Sequence, residues 1–416
     1  MNTASNASTS GLEHRRATAR VRVLTPGGEP AANVSVRFDQ TGHAFLFGCG
    51  GFEALALPES RSDARRAFLE DRLQKWLELF NFATLPFYWG GFEPKPGHPR
   101  TEALMGAARW FRDRGVAVKG HPLCWHTACA DWLLPLSTRE ILDRQLERIH
   151  REVAGFRGLI DTWDVINEVV IMPDFDKYDN AVTRLCRQYG RVGLTRAVFG
   201  AAAEANPDGL FLINDFNVSP AYERLIAELL DAGVPIGAIG IQSHQHQGYW
   251  GLEKLEEVLE RFSRFGLPLH FTENTILSGQ LTPPEYDDLN DFAPEPWPST
   301  PEGEQRQAEQ VVQFYTALFR HPRVAAITNW SSADDGWLNA PGGLMTARNG
   351  FKPAYRALKR LIHGEWETHA DLRTDERGEV TLEGFKGDYA VRADAGAAAL
   401  RLDGGEPLTV RLEVRA

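Results

Sequence analysis

Few cysteines, no long apolar run and no metal-ligand spacing set the first limits on this chain. Only four cysteines occur in 416 residues: Cys49, Cys124, Cys129 and Cys186. None forms a CxxC pair or stands at zinc-binding distance from histidines, so neither a disulfide framework nor a structural zinc is expected. Buried free thiols in a reducing compartment are the expectation. No stretch approaches the ~18 apolar residues of a membrane span. Residues 1–20 are rich in Ser, Thr and Asn, then basic, and lack the apolar core of a signal peptide. A cytoplasmic location is expected for the chain as written, with export by another route as the alternative. Net positive charge is missing too. The formal charge of −11 argues against nucleic acid or an anionic membrane as the main partner and suits a neutral ligand such as a sugar. Oligomeric state is not legible.

Tryptophan is plentiful, with 11 residues. Sugars stack their C–H groups on aromatic faces, so an aromatic-lined cleft is one reading. Core packing accounts for about half of these side chains. The apolar fraction of 43% and charged fraction of 24% are those of a globular enzyme with a large core.

Along the chain, residues 1–16 read as a disordered N-terminus and 17–42 as an N-terminal β-appendage. Residues 43–364 alternate short apolar runs with amphipathic stretches. The runs are 44–49, 79–84, 117–125, 160–167, 210–214, 238–243, 269–273 and 325–330. Between them Tyr222, Leu225, Ile226, Leu229 and Leu230 share one helical face, and Leu252, Leu255, Leu259 and Phe262 another. Eight strand-then-helix repeats over ~300 residues are the count of a closed (β/α)8 TIM barrel, an α/β fold. An open doubly wound sheet calls for a Gly-rich phosphate loop after its first strand, and Gly48-Cys49-Gly50-Gly51 matches one poorly. Residues 365–416 read as turns and short strands, a small β-domain. The fold expected is a barrel with a small accessory β-domain drawn from the N- and C-terminal segments.

Polar residues gather at the predicted strand ends, where a barrel carries its active site. They include Asn81, His121, His126, Asn167, Glu168, Asn214, Asp215, Gln242, His244, Glu273 and Trp330. Glu168 and Glu273 end strands four and seven. Those strands face each other across a closed mouth, so the two carboxyls can approach ~5–5.5 Å, the spacing of a double-displacement glycosidase. One must be protonated and the other ionised, and environment splits their pKa values. The alternative for each is a salt-bridged surface glutamate, which the apolar strand before each one argues against.

These motifs resemble family 10 glycoside hydrolases, the retaining xylanases. Trp163-Asp164-Val165-Ile166-Asn167-Glu168 is similar to the family's acid/base signature. The resemblance makes Glu168 the acid/base, Glu273 of Phe271-Thr272-Glu273 the nucleophile, and Asn167 a partner of the sugar 2-hydroxyl. Gly120-His121-Pro122-Leu123-Cys124-Trp125-His126 resembles the strand-three segment, with His126 implied as a sugar contact. Leu212–Asn217 resembles strand five. Gly240-Ile241-Gln242-Ser243-His244 resembles strand six, with Gln242 on the substrate and His244 on the nucleophile. Trp330 and Trp337 resemble the aromatic floor and wall of the cleavage subsite. No cofactor or metal is implied, and the partner is a β-linked glycan.

Two departures stand out. After Phe80-Asn81-Phe82-Ala83-Thr84 the family carries a Glu-Asn and a Lys-Trp that grip non-reducing sugars. Here Leu85–Pro94 follows instead, and Tyr88, Trp89 and Glu93 are the candidates to substitute. Asn81 and Trp89 are counted among the substrate contacts. After Glu273, Asn274-Thr275 replaces an expected Leu-Asp that would support His244. The leading reading is a retaining hydrolase of β-1,4-xylosidic bonds in xylan or xylo-oligosaccharides. A second is an exo-acting or specialised retaining β-glycosidase on another glycan or plant glycoside, and a third is a non-catalytic carbohydrate-binding barrel.

Overall fold

A computed structural model describes residues 11–414. Two compact units make up the chain. One comprises Phe47–Tyr315 and Arg323–Tyr355, the other Met1–Leu46, Thr316–Pro322 and Arg356–Ala416.

Eight parallel strands form the barrel: β1 Leu46–Gly50, β2 Phe82–Pro86, β3 Ala117–His121, β4 Thr162–Asn167, β5 Leu210–Asp215, β6 Ala238–Ile241, β7 Leu269–Ile276 and β8 Val324–Asn329. Each pairs with the next, and β8 pairs with both β7 and β1, so the sheet closes. Nearly every residue of these strands is buried, as expected where side chains fill the barrel on one face and helices cover the other. Inside it, fully buried Lys119 and Asp164 form a 2.6 Å ion pair. Burial of either charge alone would be costly, so each requires the other.

The helices start where local chemistry allows. Thr138–Gly155 opens on a capping box between Ser137 and Glu140, satisfying N–H groups that lack an intrahelical acceptor. Pro220–Asp231 opens on Ser219 with proline in its first turn and buries Tyr222, Leu225, Ile226 and Leu229. In Gly251–Ser263 the buried face is Leu255, Val258, Leu259 and Phe262. Leu252, expected on that face, lies in the first turn and is 48% exposed.

Strand β2 begins three residues later than the apolar run suggested. Leu79 and Phe80 both donate backbone N–H groups to Trp76 O, finishing the helix Asp63–Leu77. Their apolar side chains are buried there, so hydrophobicity alone did not separate helix end from strand start.

In the other unit, strand Arg16–Leu24 lies between Glu379–Phe385 and Leu408–Arg411. Strand Ser35–His43 lies between His369–Arg373 and Gly387–Ala393, with Gly396–Leu402 beyond. Val21, Val23, Phe38, Leu382, Val391 and Leu402 share one core between the two sheets. The N- and C-terminal segments therefore make one accessory β-domain, each N-terminal strand being central in its sheet. Of residues 1–16, expected to be disordered, 1–10 lie outside the described residues. Glu13–Arg15 form a 3-10 turn, and the Arg15 guanidinium donates to the carbonyls of Phe319 and His321 at 2.8 Å.

Candidate active site

Glu168 follows the last residue of β4 with φ +55. That left-handed backbone costs an L-residue about 1–2 kcal/mol, and β5 holds it in place. Glu168 N–H donates to Asn214 O at 2.8 Å, and Val170 N–H to Asp215 Oδ2 at 3.0 Å. The turn brings the Glu168 carboxyl to two donors at the barrel mouth. Trp125 Nε1 reaches Oε2 at 2.8 Å and Gln242 Nε2 reaches Oε1 at 3.0 Å.

Glu273 sits within β7. Its Oε1 accepts from Asn214 Nδ2 at 2.8 Å, and its Oε2 lies 3.1 Å from His244 Nε2. Asn214 Nδ2 also donates to Asn167 Oδ1 at 2.7 Å, and Gln242 Nε2 to the same oxygen at 3.2 Å. Glu168 and Glu273 therefore belong to one hydrogen-bond network built from β4, β5, β6 and β7. Thr272 Oγ1 donates to Asn214 Oδ1 at 2.6 Å, fixing the amide's orientation. Gly240 is required beside it, because a Cβ there would stand 2.4 Å from Asn214 Oδ1.

The network splits the two carboxyls. Burial pushes Glu168 up to about 8. Bonds from Gln242 and Trp125 pull against that, and the charges of Asp215 and Glu273 add to it. Burial also works to raise Glu273. There the charge of His121, the bond and charge of His244, and the charge of Lys119 outweigh it, leaving Glu273 below its ordinary value. His121 reaches Glu273 across 3.9 Å from Nε2 while Nδ1 faces Asp164 Oδ2 at 2.7 Å. Thr275 Oγ1 stands 3.1 Å from His244 Nδ1, where an aspartate was expected from the resemblance. At neutral pH the site can hold one protonated and one ionised carboxyl, the pair needed for acid-assisted displacement.

Trp330 meets the His121 and His244 rings edge-on at 5.2 and 6.1 Å, and Trp337 lies 4.5 Å from the His244 ring. The structure brings Asn167, Gln242, His244, Trp330 and Trp337 around the two glutamates.

Two other candidates, Asn81 and Trp89, lie elsewhere, and a third, His126, stands beside Glu168 but is buried. Asn81 precedes β2, at the opposite end of the barrel from Glu168. Its Oδ1 accepts from Phe47 N–H at 2.8 Å, so it ties strand starts together. Trp89 is 5% exposed, donates to Glu93 Oε2 at 3.3 Å and packs edge-on against Trp132. Glu93 in turn is taken by Arg151 and Gly97 N–H, both at 2.8 Å. Both side chains brace the loop after β2 instead of lining the mouth. His126 is 1% exposed beneath the Phe175 ring, 4.0 Å from Glu168 Oε2. Burial pushes it down to about 4, so it packs behind the carboxyl as a neutral ring and offers a sugar almost no surface.

The profile of glycosyl hydrolase family 10 matches residues 89–361. The chain belongs to glycosyl hydrolase family 10. The matched stretch starts at Trp89, inside the Leu85–Pro94 segment that departs from the family pattern. Among curated relatives of this family 10 chain, endo-1,4-beta-xylanase B of Paenibacillus barcinonensis is 30% identical over 263 residues, covering 58% of this chain and 75% of its own. The beta-1,4-xylanase of Dictyoglomus thermophilum is 30% identical over 267 residues, covering 60% and 70%. An endo-1,4-beta-xylanase/feruloyl esterase of Xylanibacter ruminicola is 28% identical over 309 residues, covering 67% of this chain but only 41% of that longer protein. The solved family 10 structure from Paenibacillus barcinonensis superposes with a TM-score of 0.62 at 23% identity, over 77% of this chain and 95% of that one. At that identity the likeness speaks for the fold.

The glycosidase site also uses residues whose roles the sequence left unstated. His121 and Asn214 contact Glu273, and Trp125 bonds Glu168. His121 and Asn214 stood among the strand-end polar residues. Trp125, four residues past β3, carried no signal beyond being an aromatic inside a matching segment.

Proposed function

We propose that the chain hydrolyses β-1,4-xylosidic bonds in xylan or xylo-oligosaccharides with retention of anomeric configuration. Glu273 acts as nucleophile and Glu168 as general acid, then general base. The observation that carries this reading is the opposite displacement of two carboxyls on one hydrogen-bond network. The Glu168 proton goes to the leaving oxygen as Glu273 bonds to the anomeric carbon. Water then hydrolyses that ester, with Glu168 taking its proton. Asn167 Oδ1 is occupied by Asn214 and Gln242, whereas its Nδ2 donates to no described residue. That leaves a donor for the sugar 2-hydroxyl, a bond that strengthens as positive charge develops on the ring. The xylanase names of the relatives support the choice of sugar and linkage.

NMR of xylo-oligosaccharide hydrolysis tests the reading. The first-formed product should be the β-anomer, turning into the equilibrium mixture only by mutarotation. An α-anomer formed first would refute the covalent route, and turnover of other β-glycans alone would refute the xylosidic assignment.

A further inference from the structure

Glu168 and Glu273 are held in place by different means. Glu273 lies inside β7, with its N–H on Gln242 O at 3.0 Å. Glu168 lies past the end of β4 in the left-handed region, at φ +55. An L-residue stays there only where its surroundings over-determine the turn. On one side of the turn, Glu168 N–H is fixed by Asn214 O at 2.8 Å. On the other, Val169 is fully buried and Val170 is gripped at both of its polar backbone groups. Val170 N–H donates to Asp215 Oδ2 at 3.0 Å. Val170 C=O accepts from two nitrogens of Arg191, Nε at 2.9 Å and Nη2 at 2.7 Å. Bonds from a guanidinium are stronger than those between neutral groups, so the Val170 carbonyl is firmly held.

Arg191 comes from the helix Ala181–Ala205, which is interrupted at Gly190 with φ +72 and ψ 163. Glycine takes that conformation without steric cost, and Arg191 is the first residue after the break. Before the break, the same helix holds carbonyls further from Glu168. Thr183 Oγ1 donates to Met172 O at 3.0 Å, and Arg187 to Pro173 O and Phe175 O at 2.7 and 2.9 Å. Past Gly190 the helix reaches the residue two positions from Glu168. Arg191 Nη2 also meets Asp174 Oδ2 at 2.6 Å, an exposed pair that contributes little by itself. Asp215 is fully buried, and its Oδ1 accepts from Asn217 N–H at 3.0 Å. Burial raises it to about 7, against the N–H groups of Val170, Asn217 and Phe216 and the charge of Arg191. Both of its oxygens accept from the backbone, so an amide in its place would set NH2 against a backbone N–H.

We infer that Arg191 and Asp215 are positioning residues for the acid/base. Arg191 grips Val170 at its C=O and Asp215 grips it at its N–H, and together they fix the left-handed turn that aims the Glu168 carboxyl. They act through Glu168 and not on the sugar. A misplacement of about 1 Å at a reacting group costs about 10²-fold, and here the cost falls on the step that needs the proton. This deepens the proposed function and rests on Glu168 being its acid.

The test compares kcat/KM on xylotetraose with kcat/KM on an aryl β-xylobioside whose good leaving group needs little protonation. Arg191→Met and Asp215→Asn should each lose about 10–100-fold on xylotetraose and no more than about threefold on the aryl substrate. Arg191→Lys keeps the charge and one donor, so it should show the same selectivity with a smaller loss. Arg187→Met removes bonds of the same kind further along the segment and should affect both substrates equally. Equal losses on the two substrates in Arg191→Met and Asp215→Asn, or no loss in either, would overturn the inference. So would a selective loss of the same size in Arg187→Met. Should thermal unfolding show that Arg191→Met does not fold, Arg191→Lys and Asp215→Asn decide by the same comparison. Glu168→Ala, run alongside, separates this inference from the reading beneath it. If Glu168→Ala also loses equally on both substrates, the acid assignment itself fails. If it is selective and the Arg191 and Asp215 variants are not, only their positioning role fails.

Discussion

Burial alone would push Glu168 and Glu273 the same way, so their neighbours decide the difference. Glu168 has neutral donors and the nearby charges of Asp215 and Glu273, whereas Glu273 has His121, His244 and Lys119. On the proposed roles, Glu273→Ala should lower kcat at least about 10⁴-fold on every substrate. Glu168→Ala should cost about 10²–10⁴-fold on natural glycans and far less on aryl glycosides with good leaving groups. Equal losses on both would contradict the acid role. The acid is lost as pH rises through the Glu168 value of about 8, so kcat/KM should fall there. Trp125 donates to the ionised form and so lowers that value. Trp125→Phe should move the alkaline limb up by about one unit, from the loss of a charge-assisted bond. A limb that stayed put or moved to lower pH would show that Trp125 does not tune this carboxyl. At this scale Glu168 and Glu273 were readable from the apolar strand leading to each. The roles of Trp125 and His121 were not, because hydrogen bonds between strand ends join residues dozens of positions apart.

Strands carry the site by their registers, and a small offset moves a residue to the other end of the barrel. Reading β2 from residue 79 made Asn81 a mid-strand polar group near the mouth. With β2 at Phe82–Pro86, it bonds Phe47 before the strand begins. Asn81→Ala should leave that N–H without its acceptor, costing about 1–3 kcal/mol. Thermal unfolding should reveal the loss while kcat/KM well below the transition stays near wild type. Unchanged stability with a raised KM would return Asn81 to the substrate site. The same offset carries Tyr88, not Trp89, to the mouth, where its ring lies 5.8 Å from His121 and 5.6 Å from Trp125. Trp89 opens the short helix Trp89–Phe92 and packs against Trp132. Alternation within a strand says which residues share a face, but it cannot say where the preceding helix stops.

Across the whole molecule, the first and last segments of the chain form one sandwich. Strand Arg16–Leu24 pairs with two C-terminal strands and buries Ala19, Val21 and Val23. Phe38 and Val36 of the next strand face the same core. Ending the chain at residue 364 should strip both N-terminal strands of their neighbours. Exposed apolar faces and open strand edges should then make the product aggregate. Limited proteolysis should cut within residues 16–43 of the truncated chain and spare them in the full one. A soluble truncation with that segment protected would show that the N-terminal strands stand without the C-terminal ones.

The eight-fold strand–helix rhythm, the β character of both terminal segments and the two glutamates closing apolar runs are local properties, written in runs of a few residues. They were determined by the sequence itself, because burial on both strand faces demands apolar runs and chemistry demands polar residues where those runs stop. Which amide holds Glu273, which indole holds Glu168, and which ring of Tyr88-Trp89 faces the mouth were decided only by tertiary structure. Those outcomes depend on distances across a closed barrel, where neighbours in space are far apart along the chain and a one-residue shift exchanges adjacent side chains.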